Sequence, residues 1–374
     1  MILELIWIAL LSVAVLPVAF YLLFMLRVGK AKSWNVEIDS NYEPVVSFLI
    51  PTFEEESSIV KKLDNITEID YPKDKTNIIV VDSASKDNTV NLVSKWIQEH
   101  PAAKAQVVVE SQRRGMVAAM NYGLSYIASE VLVKTDADCL LRPNSLRNAV
   151  KYLADPRVGA VAGQQSLDVV KDSLAVSTEK MYRGFYNLVR VGESKLWSSV
   201  LFEGEFMMLK TEVIKRIRFD EEIGADDLPT AIRLVKNGYR ALVADDAFFI
   251  ERTPHSLREK FRQKVRRGRH LLQGLWKYRQ EAFKQKTVFH KFLLPFEMYM
   301  YMLSPGLSIS LLVLTVPLLW LYPYLLLMAL LLVHPKIRDL CFTYLVNISI
   351  MFVSLLMEIG TREKVTWDKS DEIR

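Results

Sequence analysis

Two long apolar stretches, one near each end of the chain, constrain its architecture more than any other feature. The first, Ile2 to Leu26, contains a single charged residue, Glu4, and has about the length that the apolar core of a bilayer requires. Basic residues follow it at Arg27, Lys30 and Lys32, whereas a secretory signal carries its basic residues before the apolar run. The sequence therefore predicts an uncleaved transmembrane anchor, with everything after Arg27 on the cytoplasmic side.

The second stretch runs from about Phe292 to Met357 and is broken by prolines and polar residues. Its composition predicts one spanning helix from about Met298 to Leu321 and another from about Leu340 to Met357. The intervening residues, Pro323 to Val333, are apolar but short for a full crossing, so a thin third helix, a kinked longer helix and a re-entrant segment all fit. Two late crossings place the C-terminus inside, and three place it outside.

The chain between these stretches has the composition of a soluble domain. Overall, 51% of residues are hydrophobic and 24% are charged, which excludes a disordered chain, and the presence of only Cys139 and Cys341 argues against a disulfide scaffold. The sequence thus predicts an anchor (residues 1–27) and a cytoplasmic α/β domain (44–252). A basic amphipathic helix region (253–291), a C-terminal transmembrane region of two or three spans (292–358) and a polar tail (359–374) are predicted to follow.

Strand-like runs alternate with helical patterns in the first half of this domain, which is typical of a parallel sheet with helices on its faces. The predicted strands are Val45–Ile50, Asn77–Val81, Gln106–Val109 and Val131–Lys134. The predicted helices are Ser57–Leu63, Asn88–Glu99 and Met116–Ala128. Ligands of such sheets bind at the carboxyl ends of the strands, so the residues after each strand are the candidates for chemistry.

Polar and acidic residues follow three of these strands, at Pro51–Glu56, Asp82–Asp87 and Thr135–Asp138. Turn formation and helix capping explain any one of these segments equally well. Together they predict an acidic edge. Two carboxylates placed after a buried strand, as in Asp136-Ala137-Asp138, suit a hard divalent cation that also binds phosphates, and we expect Mg²⁺ or Mn²⁺.

Five motifs in order resemble the family 2 glycosyltransferases of the GT-A fold. They are most similar to the membrane-integrated branch that includes cellulose, chitin and hyaluronan synthases. The motifs are Ile50-Pro51-Thr52-Phe53-Glu54-Glu55, Val81-Asp82-Ser83-Ala84-Ser85-Lys86-Asp87, Asp136-Ala137-Asp138, Asp226-Asp227-Leu228 and Gln263-Lys264-Val265-Arg266-Arg267. The resemblance implies an α/β fold: a GT-A type nucleotide-sugar-binding domain with a mainly parallel sheet, flanked by transmembrane helices.

The resemblance also implies which residues bind the nucleotide sugar and its metal. By this resemblance, Asp136 is expected to lie at the nucleoside and the metal, and Asp138 is expected to be the direct metal ligand. The residues implied for the nucleotide sugar are Pro51, Thr52, Glu54, Asp82, Arg114 and Asp136. The family usually has Tyr-Asn where this chain has Phe53-Glu54, so recognition of the base is expected to differ from that of the uridine-nucleotide enzymes.

Asp226-Asp227 matches the family's Glu-Asp element, with Asp226 in the usual Glu position, and the resemblance makes Asp227 the general base. A sugar hydroxyl is a weak nucleophile, so its proton must pass to a carboxylate within hydrogen-bond reach. Attack opposite the leaving nucleoside diphosphate inverts the anomeric centre. The alternative interpretation of both residues is helix N-capping.

A basic helix is predicted from His255 to Arg279, and its charge and apolar pattern also suit a helix on an anionic membrane surface. Its Gln263, Arg266 and Arg267 resemble the family's Gln-x-x-Arg-Trp motif, which implies contact with the diphosphate and the acceptor. Arg267 replaces the tryptophan, which favours phosphate over sugar stacking. Glu203-Gly204 stands where the synthases have a loop at the acceptor terminus.

The sequence is therefore expected to encode a metal-dependent inverting glycosyltransferase of the plasma membrane with a cytoplasmic catalytic domain. The expected partners are a nucleotide-sugar donor, a polyprenyl-phosphate or glycan acceptor and the lipid bilayer, but not nucleic acid. A processive synthase of the hyaluronan, cellulose or chitin type and a non-catalytic nucleotide-sugar-binding protein are the alternatives. A nucleotidyltransferase is disfavoured because no Gly-x-x-x-x-Gly-Lys loop is present. The sequence identifies neither the sugar nor the base.

Overall fold

The structure is a computed structural model that describes residues 2–166, 174–251, 257–324 and 333–361. These residues form two compact units. The helical unit contains residues 2–30, 174–192, 261–324 and 333–361, and the sheet unit contains residues 31–166, 193–251 and 257–260.

The described residues contain eight strands and thirteen α-helices. The strands are β1 (Val46–Thr52), β2 (Thr76–Asp82), β3 (Lys104–Val109), β4 (Val131–Thr135), β5 (Cys139–Leu141), β6 (Val158–Ser166), β7 (Phe206–Lys210) and β8 (Arg240–Glu251). The helices are α1 (Ile2–Ala14), α2 (Leu16–Gly29), α3 (Ile59–Glu68), α4 (Thr89–Glu99), α5 (Met116–Gly123), α6 (Ser145–Val150), α7 (Leu174–Leu196), α8 (Thr211–Ile217), α9 (Asp227–Lys236), α10 (Leu257–Lys277), α11 (Leu294–Met298), α12 (Ser304–Leu321) and α13 (Pro335–Gly360).

All eight strands form one mixed sheet with the order β3-β2-β1-β4-β7-β6-β8-β5. The first four strands in that order run parallel, as do β6 and β8, whereas β7 and β5 pair antiparallel with their neighbours. The parallel half confirms the predicted α/β sheet. Its β1, β2 and β4 are largely buried, and Phe48, Val80 and Val133 lie in the core.

Boundaries differ from the predictions at several places. β1 continues through Pro51 and Thr52, so that Thr52 pairs in register with Asp82. The predicted helix from Met116 ends at Gly123 and continues as a 3₁₀ turn, Leu124–Tyr126. A Cβ at Gly123 would lie 2.5 Å from Leu49 Cδ1, so the absence of a side chain allows α5 to pack directly on β1.

Three helices in the described residues are long and apolar enough to cross a membrane: Ile2–Gly29, Phe289–Leu321 and Pro335–Gly360. The second begins well before the predicted Met298 and contains π-helical turns at Phe289–Leu293 and Tyr299–Leu303. The predicted apolar segment Pro323–Val333 lies mostly outside the described residues, as does the tail after residue 361.

Contacts within the helical unit bear on the number of late crossings. On α10, Arg269 Nε donates to Glu358 Oε2 at 3.1 Å, and Gln273 Nε2 donates to Glu358 Oε1 at 2.9 Å. Glu358 is at the C-terminal end of α13, so α13 ends beside the basic helix. Within the described residues, the chain after α10 thus runs through two candidate spanning helices and returns to the basic helix.

A buried ion pair joins α7 to the second spanning helix in the same unit. Arg190 Nη1 lies 3.0 Å from Glu297 Oε1, and both side chains are almost fully buried. The Arg190 guanidinium also lies over the Tyr186 ring, 5.0 Å from its centroid. Removal of either partner would leave a buried charge unpaired, so the pair fixes how these helices meet.

Candidate functional site

The predicted acidic edge forms at the carboxyl ends of β2, β1 and β4 in the sheet unit. These strands are parallel neighbours, so Asp82, Thr52 and Thr135 end at the same edge. Parallel pairing accounts for this convergence of segments that are far apart in the sequence.

Asp82 is buried at this edge and is bonded by neutral groups. Its carboxylate accepts hydrogen bonds from Ser85 N at 2.8 Å, Ser85 Oγ at 2.6 Å and Thr52 Oγ1 at 3.1 Å. Ser85 Oγ also accepts from Glu54 N at 2.8 Å. Glu54 and Ala84 have φ of 54° and 60°, a left-handed conformation that is costly for residues with a side chain and that these bonds stabilise. The network joins the loops after β1 and β2.

Arg114 lies beside this network and is paired with a residue that the sequence analysis missed. Arg114 Nε donates to Glu110 Oε1 at 3.0 Å, and Ser83 Oγ donates to Glu110 Oε2 at 2.8 Å. The hydrogen bond to Glu110 raises the pKa of Arg114. Glu110 directly follows β3, and this position at the carboxyl end of a strand could have identified it as a candidate from the sequence. Nearby, the Arg113 guanidinium lies 3.8 Å from the centroid of the Phe53 ring.

A second acidic cluster forms around Lys134, the fourth residue of β4. Its side chain is 1% exposed, and its Nζ lies 2.7 Å from Asp136 Oδ1 and 2.8 Å from Asp226 Oδ2. The same Nζ donates to Gly204 O at 2.7 Å. Asp136 N also bonds Glu205 O at 3.4 Å. The structure thereby brings together Asp136, Asp226 and Gly204, which the sequence analysis treated as separate motifs.

The charges of this cluster determine its titration. Burial by itself lowers the pKa of Lys134, but the attraction of Asp136 and Asp226 is larger, and the pKa is raised above its ordinary value. Burial raises the pKa of Asp136, as do the negative charges of Glu205 and Asp226, while Lys134 acts in the opposite direction. Lys134 is therefore the countercharge that keeps this group of carboxylates together.

The Asp226-Asp227 pair lies at the N-terminus of α9. Asp226 is the N-cap residue but makes no side-chain capping hydrogen bond. Its carboxylate instead faces Lys134, so N-capping does not explain Asp226. Asp227 is the first residue of α9, is partly exposed, and its Oδ1 accepts from Leu228 N at 2.7 Å.

The loop before β7 completes this cluster. Glu203 and Glu205 are buried, with 7% and 8% of their surface exposed. A Cβ on Gly204 would lie 2.7 Å from Asp226 Oδ1, so only glycine permits this approach without displacing the carboxylate.

Asp136 and Asp138 are the available carboxylates for a metal. Among the residues that the structure describes, no group of three or more His, Cys, Asp or Glu side chains is arranged to hold a metal ion. Mg²⁺ and Mn²⁺ in phosphate-binding sites are commonly held by one or two carboxylates together with substrate phosphates. The oxygen donors of Asp136 and Asp138 fit such a site.

The remaining predicted residues are on other elements. Pro51 is the partly buried sixth residue of β1, and Glu54 follows that strand. Gln263, Arg266 and Arg267 lie on α10 in the helical unit, where all three are partly buried.

Residues 44–269 match the family model described as "Glycosyltransferase like family 2". This match covers more than half of the chain and includes the acidic edge and most of α10. The chain belongs to glycosyltransferase family 2, and it is an enzyme of that class with a GT-A fold.

Several known glycosyltransferases are similar to this chain. The solved structure of a mannosyltransferase, PcManGT from Pyrobaculum calidifontis in complex with GDP-Man and Mn²⁺, is 32% identical, with a TM-score of 0.82 over 96% of this chain and 100% of that chain. A probable glycosyltransferase, YdaM of Bacillus subtilis, is 26% identical over 65% of this chain and 59% of its own length.

Two further relatives act on different kinds of product, according to their names. A dolichyl N-acetyl-alpha-D-glucosaminyl phosphate 3-beta-D-2,3-diacetamido-2,3-dideoxy-beta-D-glucuronosyltransferase of Methanococcus voltae is 24% identical over 60% of this chain and 71% of its length. A poly-beta-1,6-N-acetyl-D-glucosamine synthase of Staphylococcus aureus is 22% identical over 63% of this chain and 57% of its length. The chain thus spans about three fifths of the Bacillus and Staphylococcus proteins.

Proposed function

We propose that this enzyme transfers a sugar from a nucleotide sugar to a membrane-associated acceptor with inversion of the anomeric centre. One observation carries the proposal: Lys134 joins Asp136, the candidate nucleotide-sugar residue, to Asp226, the neighbour of the candidate base Asp227. The two halves of a transfer site, one for the leaving group and one for the attacking hydroxyl, are therefore adjacent within the sheet unit.

The proposed nucleotide-sugar site lies at the ends of β1 and β2. Pro51, Thr52, Glu54 and Asp82 surround the base and ribose, and the hydroxyl and amide bonds to Asp82 keep these loops in one conformation. Arg114, held by Glu110, supplies a cation toward the phosphates. Such a rigid site binds its ligand without further ordering of the loops.

Asp138 and Asp136 are the proposed metal ligands, with Mn²⁺ or Mg²⁺ as the ion. When bound, the ion supplies positive charge to the diphosphate as that group leaves. Mn²⁺ in the PcManGT complex and the hard oxygen donors of the two aspartates support this assignment. Asp138 would hold the ion together with Asp136, whose carboxylate is oriented by Lys134.

Asp227 is the proposed general base. The acceptor hydroxyl oxygen attacks the anomeric carbon, and its proton passes to the Asp227 carboxylate. The bond between the anomeric carbon and the diphosphate oxygen breaks, and the nucleoside diphosphate leaves with the electron pair. A single displacement of this kind inverts the configuration and needs no sugar bound covalently to the enzyme.

The proposed donor is a guanosine diphosphate sugar, with mannose as the transferred unit. Support comes from PcManGT, whose complex contains GDP-Man and which matches this chain over nearly its whole length. Thermal unfolding of the full-length protein in detergent with Mn²⁺ tests the base. GDP is expected to raise Tm more than UDP, ADP or CDP at equal concentration, because preferential binding to the folded state stabilises it by mass action. A larger shift with UDP would contradict the guanosine assignment.

The proposed acceptor is a polyprenyl phosphate or a related phosphate-bearing lipid. On α10, Gln263, Arg266 and Arg267 are proposed to contact the diphosphate or that acceptor. Glu203 and Gly204 are proposed to lie near the acceptor. An arginine at position 267 presents a planar, permanently charged fork that suits phosphate. One sugar or a few are then added to each lipid.

A processive synthase is the alternative, and the similarity to the Staphylococcus synthase favours it. Product sizing after incubation with radiolabelled nucleotide sugar and membrane lipid distinguishes the two. A discrete product that partitions into organic solvent supports the lipid acceptor, and a ladder extending to long polymer supports processive synthesis.

The proposed location is the plasma membrane, with the sheet unit on the cytoplasmic side, where nucleotide sugars are made. Arg27, Lys30 and Lys32 after the first spanning helix support this orientation. A reporter fused after Lys32 is expected to be active only in the cytoplasm, and external activity would contradict the orientation.

A further inference from the structure

The ammonium group of Lys134 contacts three separate segments of the sheet unit: it donates a hydrogen bond to Gly204 O and lies within ion-pair distance of Asp136 and Asp226. Asp136 belongs to the turn after β4, Gly204 to the loop before β7, and Asp226 to the residue before α9. This one buried cation therefore links three segments that are far apart in the sequence.

We propose that Lys134 is a positioning residue that sets the spacing between the nucleotide-sugar side of the site and the general base. This inference rests on the proposed function. It adds a requirement that none of the motifs contains: the aspartate at the nucleotide sugar and the aspartate beside the base share one buried cation.

The geometry around Asp226 supports a positioning role. Asp226 makes no capping hydrogen bond to α9, so its side chain does not stabilise that helix terminus directly. One peptide unit joins it to Asp227, and a planar peptide transmits a displacement of one residue to the next. Because a Cβ on Gly204 would lie 2.7 Å from Asp226 Oδ1, the carboxylate is confined between Lys134 and the Gly204 backbone.

Other buried lysines of the sheet unit have different partners, which makes them useful controls. Lys62 Nζ donates to Thr135 Oγ1 at 2.7 Å and Cys139 O at 2.6 Å, so it supports the same turn through neutral oxygens. Lys195 Nζ lies 3.1 Å from Asp245 Oδ2 and donates to Ala31 O at 2.7 Å. Lys195 is thus a buried lysine paired with an aspartate outside the acidic edge.

The first test compares Lys134→Met with Lys195→Met in the full-length protein, with kcat and KM measured for transfer from the nucleotide sugar. We expect Lys134→Met to lower kcat by about 10²-fold, the loss typical of a displacement on the order of 1 Å at a reacting group. KM for the nucleotide sugar is expected to change much less. Lys195→Met is expected to lower Tm while leaving kcat unchanged. Equal kcat in both variants and the unmodified enzyme would overturn the inference.

A double-mutant cycle tests whether Lys134 acts through Asp226. Asp226→Asn and Lys134→Met remove the two partners of one ion pair, so their losses of kcat should not multiply in the double variant. Losses that multiply fully would show that Lys134 acts elsewhere and would overturn the inference.

Gly204→Ala provides a test that keeps all charges and does not depend on the folding of Lys134→Met. Its added methyl group displaces the Asp226 carboxylate, and we expect a loss of kcat comparable to that of Asp226→Asn. A folded Gly204→Ala variant with unchanged kcat would overturn the inference. If the unmodified chain transfers sugar and Asp227→Asn does not, the proposed function stands whatever these variants show. No transfer by the unmodified chain would overturn the proposed function and this inference together.

Discussion

Asp82 and the Asp136–Asp226 pair lie along one edge of the same sheet, but different groups compensate their charge. Asp82 accepts hydrogen bonds from hydroxyl and amide groups of Ser85 and Thr52. Asp136 and Asp226 share the buried ammonium of Lys134. The first arrangement uses residues of two adjacent loops, whereas the second joins Asp136 to Asp226, about 90 residues later in the sequence.

This difference predicts how far the effect of a substitution at each aspartate extends through the site. Loss of a neutral hydrogen bond at Asp82 frees one loop, because each partner is local. A change at the Lys134 cluster leaves buried carboxylates without a countercharge, and the cost of an unpaired buried charge exceeds that of one lost neutral bond. Variants at Asp82 should therefore affect mainly nucleotide binding, whereas loss of Lys134 or Asp226 should affect mainly the chemical step.

The largest expected effect is the removal of divalent ions. Around Lys134, the carboxylates outnumber the lysine, and a bound diphosphate would add further negative charge. A chelator should therefore abolish transfer, and added Mn²⁺ or Mg²⁺ should restore it, as measured by release of nucleoside diphosphate. Full activity in chelator would contradict the assignment of Asp138 as a metal ligand.

Asp227→Asn should have the next largest effect. We expect transfer to fall by about 10² to 10⁴-fold, the usual contribution of a positioned general base. Nucleotide affinity, measured by calorimetry with nucleoside diphosphate and Mn²⁺, should stay unchanged because Asp227 is not among the proposed nucleotide contacts. A variant that no longer binds nucleotide would instead show that Asp227, like Asp82, contributes to nucleotide binding.

Asp82→Asn should have a smaller effect, and on binding rather than on kcat. An amide cannot accept hydrogen bonds from Ser85 and Thr52 on both of its terminal atoms, so nucleotide affinity should fall by about tenfold, as expected for loss of one hydrogen bond to a charged group. The matched control is Asp155→Asn. Asp155 is buried and accepts from Glu37 N at 2.9 Å and Arg157 Nε at 3.0 Å, but it is not among the proposed site residues.

These two aspartate variants should separate stability from binding. Both are expected to lower Tm, and only Asp82→Asn should weaken nucleotide binding. Equal loss of affinity in both would mean that Asp82 acts through general stability of the sheet unit, and the local character assigned to its network would be wrong.

The sequence predicted the parallel half of the sheet because its signals are local. Val131-Leu132-Val133 is apolar and contains two β-branched residues, and Asp136 and Asp138 follow shortly after it. The GT-A fold and the enzyme class were confirmed, whereas the roles of the individual site residues stay predictions. Even the strand boundaries were close, although Pro51 and Thr52 extend β1 because the neighbouring β2 pairs with them.

Long-range partners were not predictable in the same way. Lys134 resembles any residue at the end of a strand, and only the folded chain brings it to Asp226. Glu110 was also missed, since it belongs to no recognised motif. The approach of the end of α13 to α10 was not predictable for the same reason, because it depends on the contact of Arg269 with Glu358, 89 residues away.

The ion pair between Arg190 and Glu297 has a consequence for the order in which the chain is assembled during synthesis. The ribosome completes Arg190 more than one hundred residues before it completes Glu297. Until the second spanning helix is made, α7 carries a cation whose buried position is unfavourable without that carboxylate. A nascent chain stopped before Glu297 should therefore leave Arg190 without its partner and the part of α7 around it open to cellular proteases, so that protection of this part indicates that the second spanning helix has been made.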